Sequence, residues 1–478
     1  MNLSIIHYIL ASVLQFCGFF MLLPYFVGVY YREPQRFCFL SVAVISIVIG
    51  SLGKLIKPKS KVFYAKEGFV TVALSWILLS LVGGIPFVLT GEIPFYVDAV
   101  FEVVSGLTTT GGTILSDVEA LARCTQFFRL FTHWIGGMGV LVFILAILPL
   151  SGSYNMHLVK AESPGPSVGK LVPKVKNMAR ILYIIYIVIT LLETTSLVIA
   201  GLPVYDALTL TFSTVGTGGY GLLNSSIESY GATVQMIIIL FMFLCGVNFS
   251  IYYLLLIRKP KEILKSEELR IYIGIVIVAT LAIAINIKDL FQNMFEAVLH
   301  AMFQVVSIMT TTGFTTRDYN LWPSFSKMIL VLLMFCGACA GSTGGGIKVS
   351  RLIVLVKSVK NEIVRMIHPR SVKRMHLDGR PCPDSIIQSI RVYLAIFVIM
   401  YLTSVLLVSF DNFSFETNCT AVLATFSNIG PGLDMVGPSG NYAAFSPFSK
   451  MVLMFDMLAG RLELLPMLVL FSPKTWKK

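Results

Sequence analysis

Charge is what this chain has least of. Only 13% of its 478 residues are Asp, Glu, Lys or Arg, against about one quarter in a soluble globular domain. Together with 56% apolar residues and a mean hydropathy of +0.81, that scarcity excludes a soluble fold and indicates an integral membrane protein. A disulfide framework is also missing: the eight cysteines lie mostly inside apolar runs. Cys336 and Cys339 form a C-x-x-C without a second pair, which suits small-residue packing better than zinc or redox chemistry. A cleavable leader is not expected, because the apolar start at 5–29 is long enough to span and lacks both a basic n-region and a small-residue cleavage site. The few charges inside apolar segments do not converge as acid, base or metal groups, so a membrane enzyme is the weakest reading. Acidic residues are outnumbered 25 to 37, yet the net charge of +12 does not point to nucleic acid. The basic residues sit in connections between apolar runs, where cytoplasmic loops and anionic lipid account for them.

What is present is a repeat. Residues 99–111 read AVFEVVSGLTTTG and residues 301–313 read AMFQVVSIMTTTG, identical at nine of thirteen positions with an offset of 202, which indicates duplication. Weaker copies occur at Ser213-Thr214-Val215-Gly216, followed by Thr217-Gly218-Gly219, and at Ser427-Asn428-Ile429-Gly430, followed by Pro431-Gly432. Each copy is an apolar run of helical length that ends in hydroxyl or amide residues and a glycine. One such string alone reads better as a helix C-cap before an external turn. Four at matching places fit better as half-buried helices handing over to bare backbone, which membranes tolerate only inside protein or along an aqueous cavity. Four such loops in a ring would offer carbonyl and hydroxyl oxygens in place of a cation's hydration shell.

A full crossing needs about 20 apolar residues, and a helix that enters and turns back needs about 10 to 14. On that ruler two front spans are expected at 5–29 and 37–55. The first block then crosses at 68–89, re-enters at 96–107, loops at 108–113 and returns at 128–150. The second crosses at 181–201, re-enters toward Ser213, loops at 214–221 and returns at 233–257. The third uses 271–287, 291–309, 310–316 and 328–356, and the fourth 390–410, 415–426, 427–437 and 448–471. Basic clusters follow the front pair and each return span, among them Lys57, Lys59 and Lys61, Lys160, Lys170 and Lys174, Arg258 to Lys265, Arg370, Lys373 and Arg374, and Lys474, Lys477 and Lys478. The stretches 217–231 and 431–447 contain neither lysine nor arginine. This alternation gives about ten crossings with both termini inside. The expected fold is all-α and integral to the membrane, with four span/pore-helix/span repeats around a central pseudo-fourfold pore and two extra N-terminal spans. The divisions fall at 1–60 for the front pair, then 61–150, 151–265, 266–380 and 381–478 for the repeats.

Three features break the apolar rule. The third return span is interrupted by residues 337–346, which include Gly337, Gly341, Ser342, Thr343, Gly344, Gly345 and Gly346 and are followed by Lys348. At about 1 kcal/mol of lost helix propensity per glycine, this run is expected to be a loop below the glycine ring and to act as a mobile gate. Close helix packing through small residues is the alternative. A phosphate-binding loop is disfavoured, since Ile347 stands where its lysine belongs and no strand precedes it. Arg461 lies in the middle of the last span, so an aqueous path or an internal carboxylate is its expected surroundings, with an ion pair to another helix as the structural alternative. His133 stands in a glycine-rich part of the first return span and is assigned no transport role.

The strings HWIGGMG at 133–139, VVSIMTTTGFTT at 305–316 and GRLELLP at 460–466, with the glycine-rich break before Lys348, resemble the Trk/Ktr/HKT superfamily of potassium transporters across essentially the whole chain. The front pair of spans and the Asn428-Ile429-Gly430-Pro431 form of the last copy are similar to the bacterial TrkH type within it. The resemblance implies a potassium-uptake subunit with channel-like permeation. Its selectivity filter would comprise Thr109, Thr110 and Gly111, then Thr214, Val215 and Gly216, then Thr311, Thr312 and Gly313, and finally Asn428, Ile429 and Gly430. Glycine at Gly111 goes with potassium in that family, whereas serine there goes with sodium in some plant members. The resemblance makes residues 337–346 with Lys348 the intramembrane gate and Arg461 the pore arginine. It further implies K+ as transported ion, no cofactor in this chain, a homodimer in the bacterial inner membrane, and a cytosolic nucleotide-binding partner of the TrkA type. The second copy is looser than the family pattern at Thr217-Gly218-Gly219. An ion-coupled symporter driven by H+ or Na+ is the alternative, although the repeats run parallel in sequence rather than as an inverted pair.

Overall fold

The computed structural model describes residues 1–56, 58, 64–139, 175–369 and 375–476. The expected end of the first return span at 140–150 falls outside them, as do Lys57, Lys59, Lys61, Lys160, Lys170, Lys174, Arg370, Lys373, Arg374, Lys477 and Lys478. The described residues are helical apart from loops and one short antiparallel hairpin, His376–Leu377 with Arg380–Pro381, which lies in a basic connection.

The front pair, Leu3–Tyr30 and Arg36–Leu55, packs closely because glycine faces backbone at the crossing. A Cβ on Gly18 would lie 2.7 Å from the Ala43 carbonyl oxygen, and one on Gly50 2.7 Å from that of Ala11. Small residues let helices approach where no water drives them together. Each repeat then places an entry helix, a short pore helix and a return helix in sequence. The entry helices are Ala65–Leu89, Val175–Ile199, Glu267–Ile287 and Asp384–Val408. The pore helices are Tyr96–Leu107, Val204–Gly216, Met294–Met309 and Phe415–Phe426. Each of these four carries an acidic residue in its first turn, Asp98, Asp206, Glu296 and Glu416. Such residues complement the positive end of the helix dipole and leave the negative, carbonyl end to face the loops.

Six described helices are long and apolar enough to cross a membrane: the front pair and the four entry helices. The return helices depart from the expected continuous spans: within the described residues the first stops at Gly137 and the other three are divided in two. In the first repeat Arg123–Gly137 ends at Met138 and Gly139, the latter at φ +80°. In the second, Ala232–Cys245 and Phe249–Leu256 meet at 89° across Gly246, Val247 and Asn248. The third is divided into Ser324–Cys336 and Val349–Ile367, and the fourth into Pro447–Arg461 and Leu465–Phe471. Glycines allow the close approach: a Cβ on Gly136 would overlap the Leu107 carbonyl, and one on Gly460 that of Phe426, each the end of its own repeat's pore helix.

Candidate functional site: a ring of four exit segments above a glycine-rich loop

All four pore helices end in the same way. A residue in the left-handed region follows each helix: Thr109 (φ +55°), Thr217 (+56°), Thr311 (+59°) and Asn428 (+56°). Two residues on stands a glycine, also at positive φ: Gly111, Gly219, Gly313 and Gly430. Between them the N–H of Thr110, Gly218, Thr312 and Ile429 reaches back to the carbonyl of Ser105, Ser213, Ser307 and Ala424, at 2.8 Å in every repeat. This six-residue closure satisfies the carbonyls that a helix end leaves open. Three of the left-handed residues are threonines, and a β-branched side chain in that region is strained by about 1–3 kcal/mol, a cost concentrated at functional sites.

This geometry corrects the second copy. Gly216 belongs to the pore helix, and Thr214 and Val215 lie one turn back from the exit segment, with the Thr214 hydroxyl bonded to Leu210 O at 3.0 Å. The residues that correspond to Thr109, Thr110 and Gly111 are Thr217, Gly218 and Gly219. The sequence contained the register: Ser105 and Ser307 precede their glycines by six residues, and Ser213 stands six before Gly219.

The four segments close on one another. A Cβ added to Gly111 would overlap the carbonyl oxygen of Gly218, one on Gly219 that of Thr312, and one on Gly313 that of Ile429. On Gly430 it would lie 2.5 Å from the Thr110 oxygen, so the fourth segment returns to the first and the contacts form a ring. Only glycine fits at positions that combine positive φ with backbone in van der Waals contact. Outside the ring lies a cavity of about 160 Å³ that all four glycines line. Near its rim, Asp434 accepts hydrogen bonds from the hydroxyls of Ser414 and Thr417, which hold its carboxyl below the usual range.

Below the ring, residues 337–348 form a loop fixed on several sides. Gly345 N donates to Thr311 Oγ1 at 2.6 Å, and a Cβ on Gly344 would approach Thr310 O at 2.7 Å. The Thr343 hydroxyl donates to Cys245 O at 3.2 Å, and the buried Lys348 ammonium donates to Gly344 O. Glu268 accepts from Ala340 N at 2.7 Å and from Ser350 N at 3.0 Å, so one carboxylate oxygen holds both flanks of the loop. Sequence reasoning missed Glu268. Its only signal is a carboxylate at the start of an entry span, which the N-terminal helix dipole already explains.

Arg461 is the last residue of the helix Pro447–Arg461 and bears on this loop. Its guanidinium donates to Thr343 O at 2.7 Å, Gly136 O at 2.5 Å and Gly137 O at 2.8 Å, which ties the loop to the break in the first return helix. Glu463 pairs with Arg351, and Asp456 accepts from Ser404 at 2.7 Å. The space left between the loop and the fourth return helix is about 10 Å³, lined by Gly344, Gly345, Gly346, Lys348, Gly460, Arg461 and Glu463. That is at the lower limit for one water. His133 lies buried behind the first pore helix, its Nδ1 at 2.9 Å from Gly106 O and its ring 4.2 Å from that of Tyr220. Cys336 and Cys339 are free thiols, and the described residues contain no cluster of His, Cys, Asp or Glu able to hold a metal.

This arrangement, four half-crossing helices aimed at one ring with broken return helices beneath, was compared with known proteins. The family model described as "TrkH: Cation transport protein" matches residues 35–478. The chain belongs to the TrkH cation transport family. Among its relatives, the Trk system potassium uptake protein TrkH of Salmonella typhimurium is 35% identical over 467 residues, covering 96% of each chain. The protein of the same name from Halomonas elongata is 32% identical over the full length of both. The crystal structure of the potassium transporter TrkH from Vibrio parahaemolyticus superposes with a TM-score of 0.90 at 29% identity, covering both chains completely. The four-repeat membrane fold with two front spans is therefore that of a TrkH-family cation transporter, and the chain is not an enzyme.

Proposed function

We propose that this chain is the ion-conducting subunit of a Trk-type potassium-uptake system and passes K+ through the ring of exit segments. The observation that carries this reading is the closed ring itself, in which four backbone segments meet glycine to carbonyl with no room for a side chain between them. The filter consists of Thr109, Thr110 and Gly111, Thr217, Gly218 and Gly219, Thr311, Thr312 and Gly313, and Asn428, Ile429 and Gly430. Four pore-helix dipoles with their negative ends toward the ring support cation binding there. Residues 337–346, with Lys348 and Arg461, act as the gate, and the residual space of about 10 Å³ beneath the ring supports a closed state. Both termini face the cytoplasm, as the basic connections require. The repeats divide at 61–150, 151–265, 266–380 and 381–478. The working unit is a homodimer in a bacterial inner membrane, and a nucleotide-binding subunit of the TrkA type bears on the inner face to move the gate.

The test is rubidium uptake into liposomes that contain the purified chain, driven by a potassium gradient alone and repeated with excess sodium. Uptake that needs no proton or sodium gradient and resists sodium is the expected result. No uptake without a second ion gradient would replace the channel reading with coupled symport.

A further inference from the structure

Among the described residues one charged pair stands immediately behind the ring, in the first repeat. Glu102, on the first pore helix, and Arg129, on the first return helix, meet at 2.6 Å between Oε1 and Nε, with side chains 0% and 2% exposed. The same carboxylate accepts from the Thr113 hydroxyl at 2.9 Å and from Ile114 N at 3.0 Å, both just beyond Gly111. On the other side, the Arg129 guanidinium lies 3.6 Å from the centroid of the Tyr220 ring and donates to Gly221 O at 3.3 Å, just beyond Gly219. Tyr220 closes the circuit by donating its hydroxyl to Glu102 O at 2.8 Å. The exits of the first and second filter segments are thus fastened to one ion pair.

The other repeats show that the fold does not need charge here. Nine residues before their ring glycines stand Leu210, Gln304 and Ala421 where the first repeat has Glu102. At the place of Arg129, counted back from the glycine or arginine at each break, the second and fourth repeats have buried Ile238 and Leu453. Uncharged residues fill these positions, without the desolvation that a buried ion pair carries. The pair also has an electrostatic consequence, because Arg129 lines the outer cavity through which a cation would approach. Unpaired, it would repel that cation across a short, weakly screened distance. Paired, it presents no net charge.

We propose that Glu102 and Arg129 form a charge-compensated clamp that positions the first two filter segments and sets the discrimination among alkali cations. Both are positioning residues, since they act through Thr113, Ile114 and Gly221 rather than on the ion. The inference rests on the ring being the permeation filter.

Rubidium and sodium uptake are measured side by side in liposomes for the wild-type chain, Glu102→Gln, the double variant Glu102→Gln with Arg129→Gln, and Thr113→Val. Glu102→Gln leaves an uncompensated buried charge beside the outer cavity and is expected to lower rubidium uptake by about tenfold or more through repulsion of the approaching cation. The double variant removes the stranded charge and regains most of that uptake, but with a lower rubidium-to-sodium ratio than wild type. Thr113→Val keeps both charges and shifts the ratio in the same direction, which decides the matter if the charge variants do not fold. Equal loss in the single and double variants, or a wild-type ratio in Thr113→Val, overturns the clamp. Wild-type protein that passes no rubidium overturns the filter reading itself, so the two failures are distinct.

Discussion

Arg461→Ala is the most direct test of the gate. Among the described residues the wild-type guanidinium bonds three backbone carbonyls, of which Thr343 O, at 2.7 Å, belongs to the loop. The other two, to Gly136 and Gly137, anchor the arginine to the first return helix. A hydrogen bond from a charged donor contributes about 1.5–3 kcal/mol. Removing the Thr343 bond therefore shifts the loop's equilibrium toward release by about tenfold to a hundredfold, at about 1.4 kcal/mol per decade. Arg461 also carries a positive charge, and under the proposed permeation route its loss lowers the electrostatic barrier in the same direction. Initial rubidium uptake into liposomes, without any regulatory subunit, is expected to rise by at least a substantial part of that range. Arg461→Lys keeps the charge but loses the fork that reaches two helices at once, so it should fall between wild type and alanine. A folded Arg461→Ala protein with wild-type or lower uptake would refute the assignment of this residue as a restraint on the loop.

The second-repeat register gives a paired prediction. Gly219→Ala places a methyl group against Thr312 O at a backbone angle of +84° and should abolish rubidium-over-sodium discrimination in the uptake assay. Gly216→Ala instead meets His133 O at 2.5 Å inside a helix contact, so it should lower the melting temperature through about 1–3 kcal/mol of overpacking, while whatever protein folds keeps its selectivity. Glu268→Ala strands the buried N–H groups of Ala340 and Ser350, each at about 1–3 kcal/mol, and should raise basal rubidium uptake by freeing both flanks of the loop. Unchanged uptake in a folded Glu268→Ala protein would show that the carboxylate holds the helices and not the gate.

Most of the architecture was legible because membranes restrict the chain to few solutions. Length alone separates an entry span such as Ala65–Leu89 from a pore helix such as Tyr96–Leu107, and the nearly identical strings at 99–111 and 301–313 set two of the four ring segments. The second segment lies three residues later than Gly216, which is the last residue of the pore helix and packs against His133, while the positive-φ glycine follows at Gly219. A glycine that serves helix contact and a glycine that serves positive φ are the same letter, and only the spacing from Ser213 tells them apart. The broken return helices escaped for a different reason. Residues 233–257 are mostly apolar, so hydropathy reads one span, and the 89° bend depends on Gly246 facing the third repeat and on Asn248 capping the helix that follows. A Cβ on Gly246 would press on Tyr272 and Thr310, and Asn248 caps the next helix through Ser250 N at 2.9 Å.

The left-handed residues at the helix exits explain why ring and loop form one unit. Glycine would adopt that conformation without the cost of about 1–3 kcal/mol that a threonine bears there, yet glycine stands at none of the four positions. Two of the side chains kept at this cost are bonded to the elements beneath. Thr311 Oγ1 receives the N–H of Gly345 in the loop, and Asn428 Nδ2 donates to Thr110 Oγ1 in the first segment and to Met457 O in the fourth return helix. A loop that withdraws must release Thr311, and a displaced fourth return helix must disturb Asn428, whose other bond lies within the ring. At Thr311, strain in the exit segment and contact with the loop reside in one residue, so under the proposed gating an opening below cannot leave the ring above it unaltered.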